Sequence, residues 1–479
     1  MSLSLTGPHS HVYEIPGSEI KFHPHSFGDP DGRLFWWNEQ LYRGIIPEKT
    51  AFFRQLFQDG VIQELVDRGL LIESQPTDLR LDRFGMVVRH RCVPFASYPH
   101  EWCAAMFKDA ALTYIDLATE LVRKGLILKD THPWNILFDA CKPVYVDLTS
   151  IRSLTAGSQH PPYDKFCRYY LYPLILMSQG KDRLVRCLMP EYEGVSESDV
   201  LALTEAGLFS ELVGSKLGRV KTLLRGRMPQ RMRRLASMSL GSINALFCKQ
   251  RPVASSALGF LQDLRGQLEN ISLDSRISAN DLDSSYGGSC RDGAAAKQQA
   301  LHRILSELKP NSVLDVAAGA GCYSILAGRL GSQVVSLDAN PVHTGRLYHE
   351  ARDSRLSILP LVIDFTDPTP SRGLSSHSSI AATERLRCEL VLALSLLPDI
   401  VHKRKLNFEQ IVEGLALFSR RWLVLEFAQL DRRGVSPLGS GKFLGYTLEN
   451  LTNALVKRFR TVDLLHLDAE AAVWLVCEK

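Results

Sequence analysis

The chain has 479 residues, 45% of them apolar and 23% charged, with a net charge of +4. That composition excludes fibrous and disordered classes, and the length exceeds what one hydrophobic core ordinarily fills. So small a charge gives no argument for nucleic acid. No run of about 18 uninterrupted apolar residues occurs, so no membrane span is expected. The N-terminal stretch MSLSLTGPHSHVYEIPGSEIK lacks the basic-then-apolar order of a secretory signal. The ten cysteines are scattered without C-x-x-C pairs, which predicts reduced thiols and a cytoplasmic protein and excludes a zinc site.

Two aromatic-rich runs around Asn38-Glu39, from Gly32 to Ile45, predict a hairpin. From Glu48 to Leu70, Phe53, Leu56, Val61, Ile62 and Leu65 recur at helical spacing and predict a single helix ending at Gly69. Met86 to Val93 reads as a strand, Pro94 to Pro99 as a connector, and Trp102 to Lys124 as an amphipathic helix closed by Gly125. After it, Asp130 and Asn135 have the D-x-x-x-x-N spacing of a protein-kinase catalytic loop. Asp147, ending a hairpin through Ala140-Cys141-Lys142, falls where the metal-binding Asp of D-F-G would be. There an acid would take a hydroxyl proton while an amide and a second acid hold Mg²⁺.

The order hairpin, helix, strand, connector, long helix, loop, hairpin follows a kinase-like fold. Against activity, Lys129 replaces the usual arginine, Leu148-Thr149 replace Phe-Gly, and neither a glycine-rich loop nor a V-A-I-K lysine is visible. Three readings stay open: a structural loop, a degenerate kinase-like substrate or accessory module, and a working phosphotransferase. Phe166 to Met177 reads as a buried helix. Residues 212–262 carry ten basic and no acidic residues. That run suits a solvated helix face, or peripheral contact with phosphate-rich partners or an anionic membrane surface. Without interleaved aromatics it does not support nucleic-acid recognition. The expected division is an α+β kinase-like domain over 1–270, a Ser-, Asp- and Gly-rich linker over 271–295, and an α/β domain over 296–479.

That last domain is organised around one stretch. An apolar strand, Ser312 to Val316, runs into a small-residue turn, Ala317 to Gly321, and a helix begins at once. A second strand, Gln333 to Leu337, ends in Asp338, where a carboxylate would accept the two hydroxyls of a ribose. In a parallel sheet, ligands bind at loops leaving the carboxyl ends of the strands, and Gly319 and Gly321 let the backbone come close. A dinucleotide site wants G-x-G-x-x-G, but Ser324 holds the third glycine position and no basic residue stands near. Asp315, just before the loop, would repel a pyrophosphate and suits the cationic amino-acid end of S-adenosylmethionine.

The residues from Asp315 to Gly321 resemble motif I of class I methyltransferases, with Ala317 where the first glycine usually stands. Further strands are predicted at Ile358 to Asp364, Glu389 to Pro398 and Trp422 to Phe427, with a terminal antiparallel pair at Val462 to Leu467 and Ala472 to Cys477. Helices are expected between them, giving a Rossmann-like doubly wound sheet. A long loop follows Asp364, to about Arg387, and loops of that length are usually functional.

The whole chain resembles bacterial class I methyltransferases related to a host-specific nodulation protein. The resemblance rests on S-Y-P-x-E-W at Ser97 to Trp102 and L-K-D-x-x-x-x-N at Leu128 to Asn135. It also rests on I-L-P-L-V-x-D-x-x-x-P-x-P at Ile358 to Pro370 and the strand end Glu426-Phe427. It implies S-adenosylmethionine as cofactor, held by Asp315, Ala317, Gly319, Gly321, Asp338 and Asp364, the last at the adenine amino group. The acceptor is left open among a glycan, a lipid-linked sugar and other small metabolites. Many members have His-His-Leu after the fourth strand, where this chain has Leu397-Pro398-Asp399. Asp399, His402 and Glu426 are therefore the candidates for removing the acceptor's proton. Asp399 could instead cap a helix, and Glu426 could pair with an arginine such as Arg432. The rival expectations are a kinase-like scaffold with a vestigial methyltransferase domain, and a bifunctional phosphotransferase and methyltransferase.

Overall fold

A computed structural model describes residues 13–26, 28–155, 163–190, 193–203, 257–273, 294–374, 378–428, 445–467 and 472–479. Two compact units divide the chain: Met1–Ser97, Leu137–Thr149 and Leu282–Lys479 form one, and Tyr98–Ile136 with Ser150–Asp281 the other. The basic run at 212–262 lies outside the described residues up to 256, and so do 274–293 of the expected linker.

The first unit opens on an antiparallel sheet of β1 (Lys21–Phe22), β2 (Gly32–Trp37), β3 (Gln40–Ile45), β4 (Ser74–Pro76) and β5 (Met86–His90), in the order β1-β2-β3-β5-β4. Asn38 and Glu39, both at positive φ (47° and 60°), make the two-residue turn between β2 and β3. Such a turn matches the twist of the strands that it joins. The single helix expected over Glu48 to Leu70 is two, α1 (Pro47–Gln58) and α2 (Val61–Asp67), because Gly60 takes φ 72° between them. A hairpin of β7 (Ile136–Asp139) and β8 (Lys142–Tyr145) turns at Ala140, φ 54°.

In the second unit, α3 (Ala104–Arg123) buries Phe107, Ala110, Tyr114, Leu117 and Leu121 at helical spacing and stops before Gly125, φ 69°. Strands β6 (Leu126–Leu128) and β9 (Ile151–Ser153) pair antiparallel. The helix expected at Phe166 to Met177 is continuous but widens into a π turn over Cys167–Leu171, ahead of Pro173, which lacks an N–H to continue the ladder.

The C-terminal part of the first unit is a seven-stranded sheet. Its elements are α4 (Ala294–Leu308), β10 (Ser312–Val316), α5 (Cys322–Arg329), β11 (Gln333–Asp338), α6 (Pro341–Asp353), β12 (Ile358–Val362), β13 (Cys388–Ala393), α7 (Phe408–Phe418), β14 (Ser419–Ala428), α8 (Leu448–Leu455), β15 (Thr461–Leu467) and β16 (Ala472–Glu478). The order is β12-β11-β10-β13-β14-β16-β15, parallel except for β16, which is antiparallel to both neighbours. Every residue of β10 and β12 is buried, as a strand covered on both faces requires. The winding reverses at β10, so right-handed crossovers carry α5 and α6 to one face and later helices to the other. That reversal opens a crevice at the carboxyl ends of β10 and β13. The fourth strand is shorter than expected: it stops at Ala393, and Leu397–Asp399 is a helical turn.

Candidate active site

The loop leaving β10 carries three positive φ angles, at Ala317 (57°), Gly319 (54°) and Gly321 (79°). Ala317 thus adopts the left-handed conformation that its Cβ disfavours, at roughly 1–2 kcal/mol. The loop is fixed by Ala318 N–H donating to Leu337 O at 3.0 Å and by Gly321 N–H donating to Ala318 O at 2.9 Å. Gly321 is the N-cap of α5, and a Cβ there would stand 2.5 Å from Leu347 Cδ1.

Asp338 ends β11 with a buried carboxylate. Its Oδ2 accepts the Gly319 N–H at 2.8 Å and its Oδ1 the Asn340 N–H at 2.7 Å, while His343 Nδ1 lies 3.6 Å away. A carboxylate offers about four acceptor positions, so two backbone donors leave room for further hydroxyls. Asp315 lies beneath the loop, fully buried, with its Oδ2 accepting the Ser324 hydroxyl at 2.6 Å. Burial pushes its carboxyl up to about 7; the Ser324 hydrogen bond opposes the rise and the Asp338 charge adds to it. Asp364 closes a turn on itself, its Oδ1 accepting Thr366 N–H at 2.8 Å and Thr366 Oγ–H at 2.7 Å, and its Oδ2 meets the Arg404 guanidinium.

Of the candidate bases, Asp399 is buried with Lys403 Nζ at 3.1 Å. His402 lies in the turn Ile400–Arg404 with its ring 6.4 Å from that of Tyr446, which stacks on Phe427 at 4.9 Å. Glu426, at the end of β14, is 3% exposed. Its Oε1 accepts from Lys297 Nζ at 3.0 Å, and its Oε2 from the Ser395 N–H at 3.2 Å and the Ser395 hydroxyl at 3.4 Å. Arg432, the partner suggested by the sequence, lies outside the described residues. Ser395 and Lys297 escaped the sequence reading, although Ser395 is the one polar residue in Ala393-Leu-Ser-Leu-Leu397.

Asp130 and Asn135 belong to one compact unit and Asp147 to the other. The Asp130 N–H donates to Ser150 Oγ at 3.1 Å. Asp147 Oδ1 lies 3.1 Å from Nη1 of Arg43, a buried residue of β3, and accepts the Thr149 hydroxyl at 2.8 Å; Arg43 also meets Asp29 at 2.7 Å. The D-F-G-like acid therefore faces a guanidinium. Among the described residues no group of three or more His, Cys, Asp or Glu could hold a metal ion. Cys322 is disulfide-bonded, which corrects the expectation of reduced thiols throughout; Cys92, Cys103, Cys141, Cys167, Cys187, Cys388 and Cys477 are free.

The strand order, the left-handed loop after β10 and the acid ending β11 are those of a Rossmann-like class I methyltransferase fold. Over 451 residues the chain is 23% identical to the nodulation protein NoeA of Rhizobium meliloti (strain 1021), covering 91% of this chain and 92% of that protein. Among solved structures it is similar to magnesium protoporphyrin IX methyltransferase from Synechocystis PCC 6803 with bound SAH, at 15% identity and TM-score 0.29, covering 40% of this chain and 90% of that one. It is also similar to the N-methyltransferase NodS of Bradyrhizobium japonicum WM9, at 13% identity and TM-score 0.29, covering 39% and 96%. No protein-family model matches it.

Proposed function

We propose that this protein is an S-adenosylmethionine-dependent methyltransferase. The observation that carries the reading is the clamp between Asp338 and Gly319 N–H at 2.8 Å, which joins the acid after the second strand to the left-handed loop after the first. Asp338 would hold the ribose with its remaining lone pairs, Gly319 and Gly321 would let the cofactor lie against the backbone, and Asp315 would answer the amino-acid end. Asp364 would reach the adenine, in exchange for part of its contact with Arg404. S-adenosylmethionine supplies an electrophilic methyl group on a sulfonium, so the protein's own task is proximity and orientation. The acceptor is taken to be a glycan, a lipid-linked sugar or another small metabolite.

Isothermal titration with S-adenosylmethionine tests the reading. Wild type is expected to bind, and Asp338→Ala to lose about 1–3 kcal/mol, the worth of charged hydrogen bonds. No binding by wild type at millimolar ligand overturns it.

The kinase-like reading of the N-terminal region rests on the order of its elements along the chain: the hairpin of β2 and β3, helices α1 and α2, strand β5, helix α3 and the hairpin of β7 and β8. We read that region as an accessory module and not as a phosphotransferase, because Arg43 and Thr149 already engage Asp147. Asp147→Asn should then leave S-adenosylmethionine affinity unchanged, and titration of the full chain with ATP and Mg²⁺ should give no heat. Binding of ATP with Mg²⁺ that disappears in Asp147→Asn would favour the bifunctional reading instead.

A further inference from the structure

We propose that Ser395 is an acceptor-binding residue whose hydroxyl lone pairs select a nucleophile carrying an O–H or N–H proton, with Glu426 and Lys297 positioning it. The inference rests on the methyltransferase reading and adds to it the chemical class of the acceptor.

Strand β13 lies beside β10, so its carboxyl end borders the crevice where the winding reverses. Leu394, Leu396 and Leu397 are buried there, and Ser395 alone among these residues is exposed. Its φ of 57° is left-handed, which a residue with a Cβ adopts only when its surroundings impose it. Glu426 imposes it, by accepting the Ser395 N–H at 3.2 Å.

The same Oε2 lies 3.4 Å from Ser395 Oγ, and Oε1 faces the Lys297 ammonium at 3.0 Å. A carboxylate set against an ammonium accepts hydrogen bonds and donates none. Glu426 Oε2, at 3.4 Å, is an acceptor for the single proton of the Ser395 hydroxyl, and a proton given to it leaves the lone pairs of Oγ facing outward. Outward lone pairs accept from a hydroxyl or a primary or secondary amine, repel a carboxylate, and offer nothing to a thioether or tertiary amine. Lys297, from the first turns of α4, keeps the buried Glu426 paired; a buried charge left alone would be strongly destabilising.

The test uses the full chain and two cofactor analogues in isothermal titration. S-adenosylhomocysteine has no group at the methyl position, whereas sinefungin carries an amine there. Wild type is expected to prefer sinefungin by about tenfold, one hydrogen bond to a charged donor. Ser395→Ala and Ser395→Gly both delete the hydroxyl but act oppositely on backbone strain. Both should lose most of that preference while S-adenosylhomocysteine affinity stays within about twofold. Glu426→Gln can keep an oxygen toward the Ser395 N–H and hydroxyl and should keep the preference, whereas Glu426→Leu, which offers no acceptor, should lower it; an unchanged preference in Glu426→Leu overturns the orienting role. If wild type binds S-adenosylhomocysteine and both serine variants keep the wild-type preference, this inference fails alone. If wild type binds neither analogue, the methyltransferase reading fails and takes the inference with it.

Discussion

Asp315 is the residue whose burial has a pH consequence. Its folded value of about 7 lies above the roughly 3.9 of an unfolded aspartate, so between the two the folded protein holds a proton that the unfolded chain has released. The sign follows: this carboxyl costs nothing below about pH 4, and stability falls as pH rises from there to about pH 7. Asp315→Asn should flatten that slope. Urea denaturation at about pH 5 and about pH 8 would measure it, and equal slopes in wild type and variant would show that Asp315 does not titrate in this window. Ala317 is the second residue with a stated cost. Its φ of 57° suits glycine, so Ala317→Gly should relieve strain of about 1 kcal/mol, less the extra backbone entropy that glycine brings to the unfolded chain. A net gain of a few tenths to about 1 kcal/mol is expected, read as a higher melting temperature. A lower one would mean that the loop is relaxed as it stands.

Between residues and domain stands the unit β10, loop and α5. Gly321 serves it twice, as a left-handed N-cap at φ 79° and as a gap filled by Leu347, 2.5 Å from where a Cβ would be. Gly321→Ala is expected to destabilise by about 2–4 kcal/mol from overpacking and backbone strain together. A loss under about 1 kcal/mol in urea denaturation would show that Leu347 moves aside freely. This unit was legible in the sequence, because strands buried on both faces read as apolar runs and a parallel crossover needs a helix at once. A helix between the fourth and fifth strands was legible too, and α7 fills that place with Asn407 and Gln410 capping it reciprocally. Partnerships were not legible. Glu426 meets Lys297 across 129 residues of chain and Arg43 meets Asp147 across 104, counting from 43 to 147; no local period marks such pairs. The break at Gly60 was missed because the apolar residues on either side keep helical spacing across it.

On the scale of the whole molecule, the seven-stranded sheet ends at β12, an edge that would leave backbone groups open to pairing with other chains. The turn between β7 and β8 lies against that edge. Cys141 Sγ–H donates to Ile358 O at 3.1 Å, Cys141 O accepts the Tyr348 hydroxyl at 3.3 Å, and the Phe138 ring meets Tyr348 edge-on at 6.1 Å. Phe138 and Tyr348 are both fully buried. The hairpin of β7 and β8 thus shields one strand edge of the seven-stranded sheet, and the two parts share one compact unit. Residues 294–479 expressed alone would expose Tyr348 and the β12 edge together. That fragment is expected to self-associate in size-exclusion chromatography and to melt below the full chain. In the full chain, Phe138→Ala should cost about 3–5 kcal/mol, the range for deleting a buried ring. That loss should appear as a lower melting temperature with and without S-adenosylhomocysteine, since the protection a ligand gives is set by its own affinity. A fragment that stays monomeric, with the melting temperature of the intact protein, would show that the hairpin does not support the sheet.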